Sequence, residues 1–424
     1  MRGITGLATE HDLVQGLLGQ TFGLQHRGQT GCGIAVANNR TVHLPCVGTG
    51  LVRDVLVGDM DYLEGYTGIG ATISHGPLLP FPRADDYDQG VFAFDGYIGE
   101  HDERELLELL HATVLSSCGD TSRGISKLYE RRLGHCNMVV LTPDGVFASR
   151  DPSGMHPLVL GRSDNGTTVA VAVASESCAF FYPGLELVRD VAPGEIVRLH
   201  VNLIETVGQL EPRRRRCVFE WIYFARLDST FDGLAVDLAR KRLGGYLAEH
   251  DDVEADIVAP VPFSGVGHAV GFHRVSGLPY DNVFLLPQFH RRSYNLPIAM
   301  RLAVLRGGKL VPIRNAIKDK RIVLVDDSIR GGHTMRGLIE ILRANGAREV
   351  HIRIASPISV RYCPHVAPPS EQEVFIASSL DVNGIRVWLG ADTLTYQTIG
   401  NVVRAIGMPE RDLCLDCFKC DKAR

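Results

Sequence analysis

The chain contains no unbroken apolar stretch of the roughly 18 residues that a membrane-spanning helix requires, so no membrane partner is expected. Its start, Met1-Arg2-Gly3-Ile4-Thr5-Gly6, has no apolar signal core behind it, which implies a cytoplasmic protein. An excess of positive charge is also missing. The formal net charge of -5 excludes a general nucleic-acid binder, and no nucleic-acid partner is expected. There are no internal repeats and no low-complexity segments. Cysteine is sparse, ten in 424 residues, too few for a disulfide scaffold.

What is present is ordinary soluble composition: 45% hydrophobic residues, 22% charged residues and a mean hydropathy of +0.03. The length predicts two domains. In the first half, short β-branched runs alternate with glycine turns: Gly33–Ala37, Met138–Leu141 and Thr168–Val173. They read as strands, with a helical pattern around Leu106–Leu110, which makes a strand-rich α+β domain. A polar break at Gln209–Arg216, with four consecutive arginines, reads as a solvated linker. Beyond it, helix-like segments (Leu234–His250, His333–Asn345) alternate with apolar strands (Asp256–Val261, Arg321–Val325, Val350–Ile354). That rhythm predicts a parallel sheet flanked by helices. The domains are therefore expected at 1–213 and 214–424.

The most informative run is Ile322-Val323-Leu324-Val325-Asp326-Asp327-Ser328-Ile329, followed by Arg330-Gly331-Gly332-His333-Thr334. An apolar strand ends in two adjacent aspartates, then a glycine-containing loop, then a helix. In open α/β sheets ligands bind at the carboxyl ends of strands. The loop can wrap a phosphate with main-chain N–H groups, and the helix N-terminus favours the anion. The paired carboxylates can hold ribose hydroxyls, or a magnesium ion carried by a pyrophosphate.

This run resembles the motif of the type I phosphoribosyltransferases. The wider chain is similar to the glutamine phosphoribosylpyrophosphate amidotransferase family. Leu24–Gln29, Ser149–Gly154, Ala174–Cys178 and Arg189–Glu195 resemble the family's N-terminal half, and Cys217–Arg226, the aspartate loop and the Cys414/Cys417 tail its other half. The resemblance implies an N-terminal Ntn-hydrolase, glutaminase-like αββα domain. A phosphoribosyltransferase domain with a C-terminal extension would follow, in a homo-oligomer.

The same resemblance exposes departures. The family's N-terminal nucleophilic cysteine, whose free α-amine serves as the base, is matched by Arg2, which offers neither nucleophile nor proton acceptor. Its glutamine-carboxylate arginine aligns with Thr72. Its Asn-Gly oxyanion segment aligns with Asp95-Gly96, where a carboxylate cannot donate the required hydrogen bond. An inactive glutaminase is expected; the alternative is a relocated nucleophile such as Cys32.

Some family members carry a 4Fe-4S cluster on four thiolates. All four positions match here, as Cys217, Cys363, Cys414 and Cys417, with zinc as the rival and Cys420 spare. The remaining cysteines, Cys32, Cys46, Cys118, Cys136 and Cys178, read as buried small hydrophobes. In the second half the family's pyrophosphate loop reads Pro260-Val261-Pro262-Phe263-Ser264-Gly265. Its mobile loop aligns with Leu286–Ser293, where the lysine and first arginine are lost and Arg292 matches the last arginine. One loop hydroxyl becomes the imidazole of His333.

The expected sugar-phosphate ligands are Ser264, Gly265, Asp326, Asp327, Ser328, Gly331, Gly332, His333 and Thr334. Asp326, Asp327 and Arg292 are the expected catalytic residues, and the aspartates would also bind Mg2+. The expected activity is C1–N bond formation on an activated sugar phosphate, with ammonia or an amine as acceptor. The rival is a non-catalytic homologue that binds nucleotides or a partner enzyme.

Overall fold

The computed structural model describes residues 2–11, 13–38, 41–43, 46–56, 63–74, 90–97, 120–131, 134–164, 169–286, 310–365 and 374–419. They form two compact units. One runs to Cys217 and also takes in Asp228–Gly233 and His365; the other contains Val218–Leu227, Leu234–Pro364 and the C-terminal part. The segment around Leu106–Leu110, Cys118, Arg292 and Cys420 lie outside the described residues.

In the first unit, period-two alternation of apolar side chains builds two facing sheets. Seven strands lie in the order Glu186–Asp190, Val159–Asp164, Val169–Ala174, Arg2–Thr9, Thr67–Ile73, Gly31–Ala37 and Cys46–Thr49. Five lie in the order Leu203–Gln209, Glu195–His200, Gly145–Ser149, His135–Thr142 and Val91–Tyr97. Ile4, Val171 and Val173 of the first sheet share a buried core with Val91, Ala93, Val139, Leu141 and Val146 of the second. The intervening residues Phe92, Phe94, Met138, Val140 and Phe147 face outward, onto Ile125 and Leu128 of the helix Thr121–Glu130. The helix Leu13–Gly23 packs on the Arg2–Thr9 and Thr67–Ile73 strands. The layers therefore run helix, sheet, sheet, helix. Sequence runs buried on both faces are near-continuously apolar, which is why these strands were legible.

Arg213, Arg214 and Arg215 are exposed, as a solvated segment should be, whereas Arg216 is half-buried and pairs with Asp232 at 2.9 Å; the main chain of the run is also tied down. Arg213 N donates to Pro152 O at 2.6 Å, and Arg215 N to Ser153 O at 2.8 Å.

The second unit carries a parallel sheet in the order Ile257–Pro260, Arg321–Asp326, Glu349–Ile354, Thr393–Tyr396. The helix His333–Ala344 buries Met335, Leu338, Ile339 and Leu342, the i, i+3, i+4, i+7 stripe of an amphipathic helix on this sheet. The helices Val236–Ala248 and Val266–Ser276 cross where glycine permits backbone contact. A Cβ on Gly244 would lie 1.8 Å from His268 O, and one on Gly271 1.9 Å from Lys241 O.

Candidate active site

The central strand of the second unit is buried from Ile322 to Val325 and delivers Asp326 and Asp327 at its carboxyl end. The chain segment before the helix Val266–Ser276 closes against this end. Val261 N donates to Val325 O at 2.9 Å, and Gly265 N to Val261 O at 2.8 Å. Only glycine fits at 265, since a Cβ there would sit 2.1 Å from Val325 O. This turn brings Ser264 Oγ to Asp326 Oδ1 as a donor, at 2.6 Å. Asp327 N donates to the same oxygen at 2.9 Å, and Ser328 Oγ donates to Asp327. The Pro262–Phe263 peptide is cis, and the Phe263 side chain is exposed.

Both aspartates are buried, and among the described residues neither has an ion-pair partner. Burial, and then the neighbouring carboxylate, push Asp326 well above its ordinary range; burial also raises Asp327, with Arg240 opposing. A buried carboxylate pair whose pKa values are raised in this way suits a divalent cation or the hydroxyls of a sugar. Gly331 and Gly332 are buried beside the pair, and Gly332 takes a positive φ of 77° that starts the helix at His333. His333 and Thr334 are exposed at that N-terminus, where first-turn N–H groups lack helical acceptors. The structure thus brings Ser264 and Gly265 to Asp326 and Asp327 at the carboxyl end of this inner strand, and Ser328, Gly331, Gly332, His333 and Thr334 lead from that end into the following helix. Arg292 and the rest of 287–293 lie outside the described residues.

The place of the glutaminase centre in the first unit is differently built. Arg2 N donates to Asp95 Oδ1 at 3.0 Å. Arg27, fully buried, donates to Asp95 Oδ2 at 2.9 Å, to Glu176 Oε1 at 2.7 Å and to the Arg2 carbonyl at 3.0 Å. Ser229 Oγ donates to Glu176 Oε2 at 2.7 Å, and His26 Nε2 lies 2.7 Å from Glu176 Oε1. Burial alone would raise the Glu176 carboxyl, but His26 and Arg27 outweigh it and hold the group well below its ordinary value. The Arg2 guanidinium lies over the Phe94 ring, 3.9 Å from its centroid. Thr72 is spent on a hydrogen bond to Leu24 O, at 3.1 Å. Gly96, at φ 130°, lies against the neighbouring strand, where a Cβ would meet His135 O at 2.1 Å. Sequence reasoning missed the roles of Arg27, Glu176, His26 and Ser229. The runs Leu24–Gln29 and Ala174–Cys178 were visible signals, but their pairing is not.

Cys32 is buried, and burial first, then Cys46 and Asp54, push its thiol up to about 12. A thiol pushed up in this way presents little thiolate at neutral pH, which argues against a relocated nucleophile here. Cys136 and Cys178 are buried as expected, whereas Cys46, on an outer strand, is half-buried. In the second unit Cys363, Cys414 and Cys417 form no disulfide among the described residues. The Cys363 segment lies along the tail: Val360 N donates to Cys417 O at 3.0 Å, and Arg361 Nε to Asp416 O at 2.9 Å. Thiols are the donor type that a soft metal or an iron–sulfur cluster takes. Cys217, buried, ends the main segment of the first unit.

A family model described as a phosphoribosyl transferase domain matches residues 292–363. The amidophosphoribosyltransferase of Methanocaldococcus jannaschii is 32% identical, over 93% of this chain and 91% of that protein. The chain belongs to the amidophosphoribosyltransferase family. The Bacillus subtilis amidophosphoribosyltransferase is likewise 32% identical, over 93% of this chain and 88% of its own length. Among solved structures, the glutamine phosphoribosylpyrophosphate amidotransferase of B. subtilis, complexed with ADP and GMP, superposes with a TM-score of 0.85 at 30% identity. It covers 98% of this chain and 96% of that one. As an amidophosphoribosyltransferase-family enzyme, the chain has an Ntn-hydrolase-type unit and a type I phosphoribosyltransferase unit with a parallel sheet.

Proposed function

We propose that this enzyme forms a C1–N bond on phosphoribosyl pyrophosphate or a related activated sugar phosphate, taking ammonia or an amine rather than glutamine. One contrast carries the reading. The Asp326/Asp327 pair is buried at the carboxyl end of its strand, with burial raising both carboxyls, while Arg2, Thr72 and Asp95, which align by resemblance with the glutaminase residues, offer no nucleophile, cation or oxyanion donor of the family's kind, and Asp95 is tied to Arg2 N and Arg27.

The nitrogen lone pair attacks C1, the C1–O bond breaks, pyrophosphate leaves, and the nitrogen sheds a proton to solvent. Gly331, Gly332, His333 and Thr334 grip the terminal phosphate through main-chain N–H groups and the helix N-terminus. Ser264 and Gly265 face the pyrophosphate. Asp326 and Asp327 orient the ribose hydroxyls or hold Mg2+, which would neutralise the leaving group when bound. Arg292 would add a cation there. By resemblance to the family, Phe263 and the two lost residues of the mobile loop belong to the leaving-group end, which supports a changed donor or acceptor, as in secondary metabolism.

Cys217, Cys363, Cys414 and Cys417 would hold a 4Fe-4S cluster that ties down the C-terminal tail. No helix of the described residues is long and apolar enough to cross a membrane. The enzyme would act in the cytoplasm as a homo-oligomer.

The deciding experiment is a binding assay followed by pyrophosphate release with ammonia and a panel of sugar phosphates. Release with one donor is expected. Tight binding with no release from any donor would establish the non-catalytic homologue instead. Phosphoribosylamine formed from phosphoribosyl pyrophosphate at kcat/KM of about 10⁴ M⁻¹s⁻¹ or more would mean that the donor is unchanged.

A further inference from the structure

The phosphate loop carries aromatic support that the aspartate pair does not use. A Cβ on Gly332 would lie 2.9 Å from Cζ3 of Trp388, so the loop backbone rests on the indole. The His333 ring meets the same indole edge to face, with centroids 5.3 Å apart and an interplanar angle of 77°. One helical turn on, the Arg336 guanidinium lies 5.0 Å from the Trp388 ring centroid. Three residues of the loop and the first turn thus converge on one side chain. The other end of the loop is held as well. Arg330 O accepts from Ile376 N at 3.0 Å, and the Arg330 guanidinium lies 5.4 Å from the Phe375 ring centroid.

Trp388 is itself firmly placed. Its helix, Val382–Leu389, is capped by Asp381, which accepts from Gly384 N at 2.7 Å, and is anchored in the core by Ile385 and Leu389. The loop it supports contains two adjacent glycines, the residue type that loses most conformational freedom on ordering. An anion grip made of main-chain N–H groups works only when those groups are already aimed, and a loop of this composition needs an outside support to stay aimed.

We infer that Trp388 is a positioning residue for the sugar-phosphate loop, acting through Gly332 and His333 without touching the substrate. The inference rests on the sugar-phosphate reading of the Asp326/Asp327 pair. Trp388 is also a built-in reporter. The chain has two tryptophans, and the other, Trp221, is fully buried on a separate segment.

The test uses the full chain as wild type, Trp388→Ala and Trp388→Phe. Each is titrated with phosphoribosyl pyrophosphate plus Mg2+, and with ribose 5-phosphate as the terminal phosphate alone. Heat of binding and intrinsic fluorescence are both followed. Trp388→Ala should weaken binding about tenfold, the order expected for losing one aromatic contact set. It should raise KM while leaving kcat within about twofold, the signature of lost binding rather than lost chemistry. Trp388→Phe should recover most of the affinity and abolish the fluorescence response.

Wild-type affinity in folded Trp388→Ala, or a fall in kcat at unchanged KM, would overturn the inference. If Trp388→Ala does not fold, the wild-type signal still decides, because fluorescence unchanged at saturation refutes the placement. Wild type that binds neither ligand would instead bring down the sugar-phosphate reading, and this inference with it.

Discussion

The main-chain N–H of Arg2 donates to Asp95 Oδ1 at 3.0 Å, joining residues 93 positions apart in the chain. Asp95 spends its other oxygen on Arg27, which in turn binds Glu176. Asp95, which the sequence resemblance aligns with the family's oxyanion segment, is therefore part of a buried ion network. Arg2, which aligns with the family's nucleophile, contributes its main-chain N–H and carbonyl to that network.

Glutamine hydrolysis should accordingly be absent. Glutamate release from glutamine is expected to equal that of heat-killed protein, and Arg2→Cys alone should not raise it. The oxyanion donor and the carboxylate-binding cation remain missing in that variant. Measurable release from either protein would refute the reading.

The network should matter for stability and for its pH dependence. Glu176 is held well below its ordinary value of 4.5, so the unfolded chain binds that proton more readily than the native state. Its contribution is fully present above that value and is lost as pH falls from there through the folded value. Glu176→Gln should lose about 3 kcal/mol at neutral pH by leaving Arg27 buried with one partner charge fewer. It should also flatten the fall in stability below about pH 4.5. Denaturant melts across a pH series would check both effects; an unchanged slope would exclude Glu176 as the titrating group.

The sign is opposite at the aspartate pair. Burial raises both carboxyls, so ionising them costs stability as pH rises above the ordinary value of 3.8. Asp326→Asn plus Asp327→Asn should stabilise the ligand-free protein at neutral pH, on the order of 1 kcal/mol, because functional sites carry such strain. The same variant should lose all activity and all Mg2+-dependent increase in Tm. Full activity in the double variant would mean that the site lies elsewhere. Gly265→Ala should be severely destabilising, because its Cβ would collide with Val325 O.

The cysteine set predicts a colour. Protein purified without oxygen should be brown, with about four irons per chain. Cys417→Ser should lose the colour, and Cys420→Ser should keep it. Zinc in place of iron by elemental analysis would rule out the cluster.

Several features were legible in the residues alone. Strands such as Arg321–Asp326 and Val169–Ala174 announce themselves because both faces are buried, which demands continuous apolar runs. The helix His333–Ala344 shows its core stripe at helical spacing, and the Asp326-to-Thr334 run shows strand, acidic pair, glycine loop and helix start in order. Local pattern suffices where one element's own surroundings select its residues. It fails where the partner is remote. Nothing near Asp95 in the sequence points to Arg27, 68 positions away, and nothing near Gly332 points to Trp388. Those relations depend on which strands pair and which helix packs on which sheet face. A buried charge and a supported glycine loop acquire their meaning only from neighbours that the tertiary structure supplies.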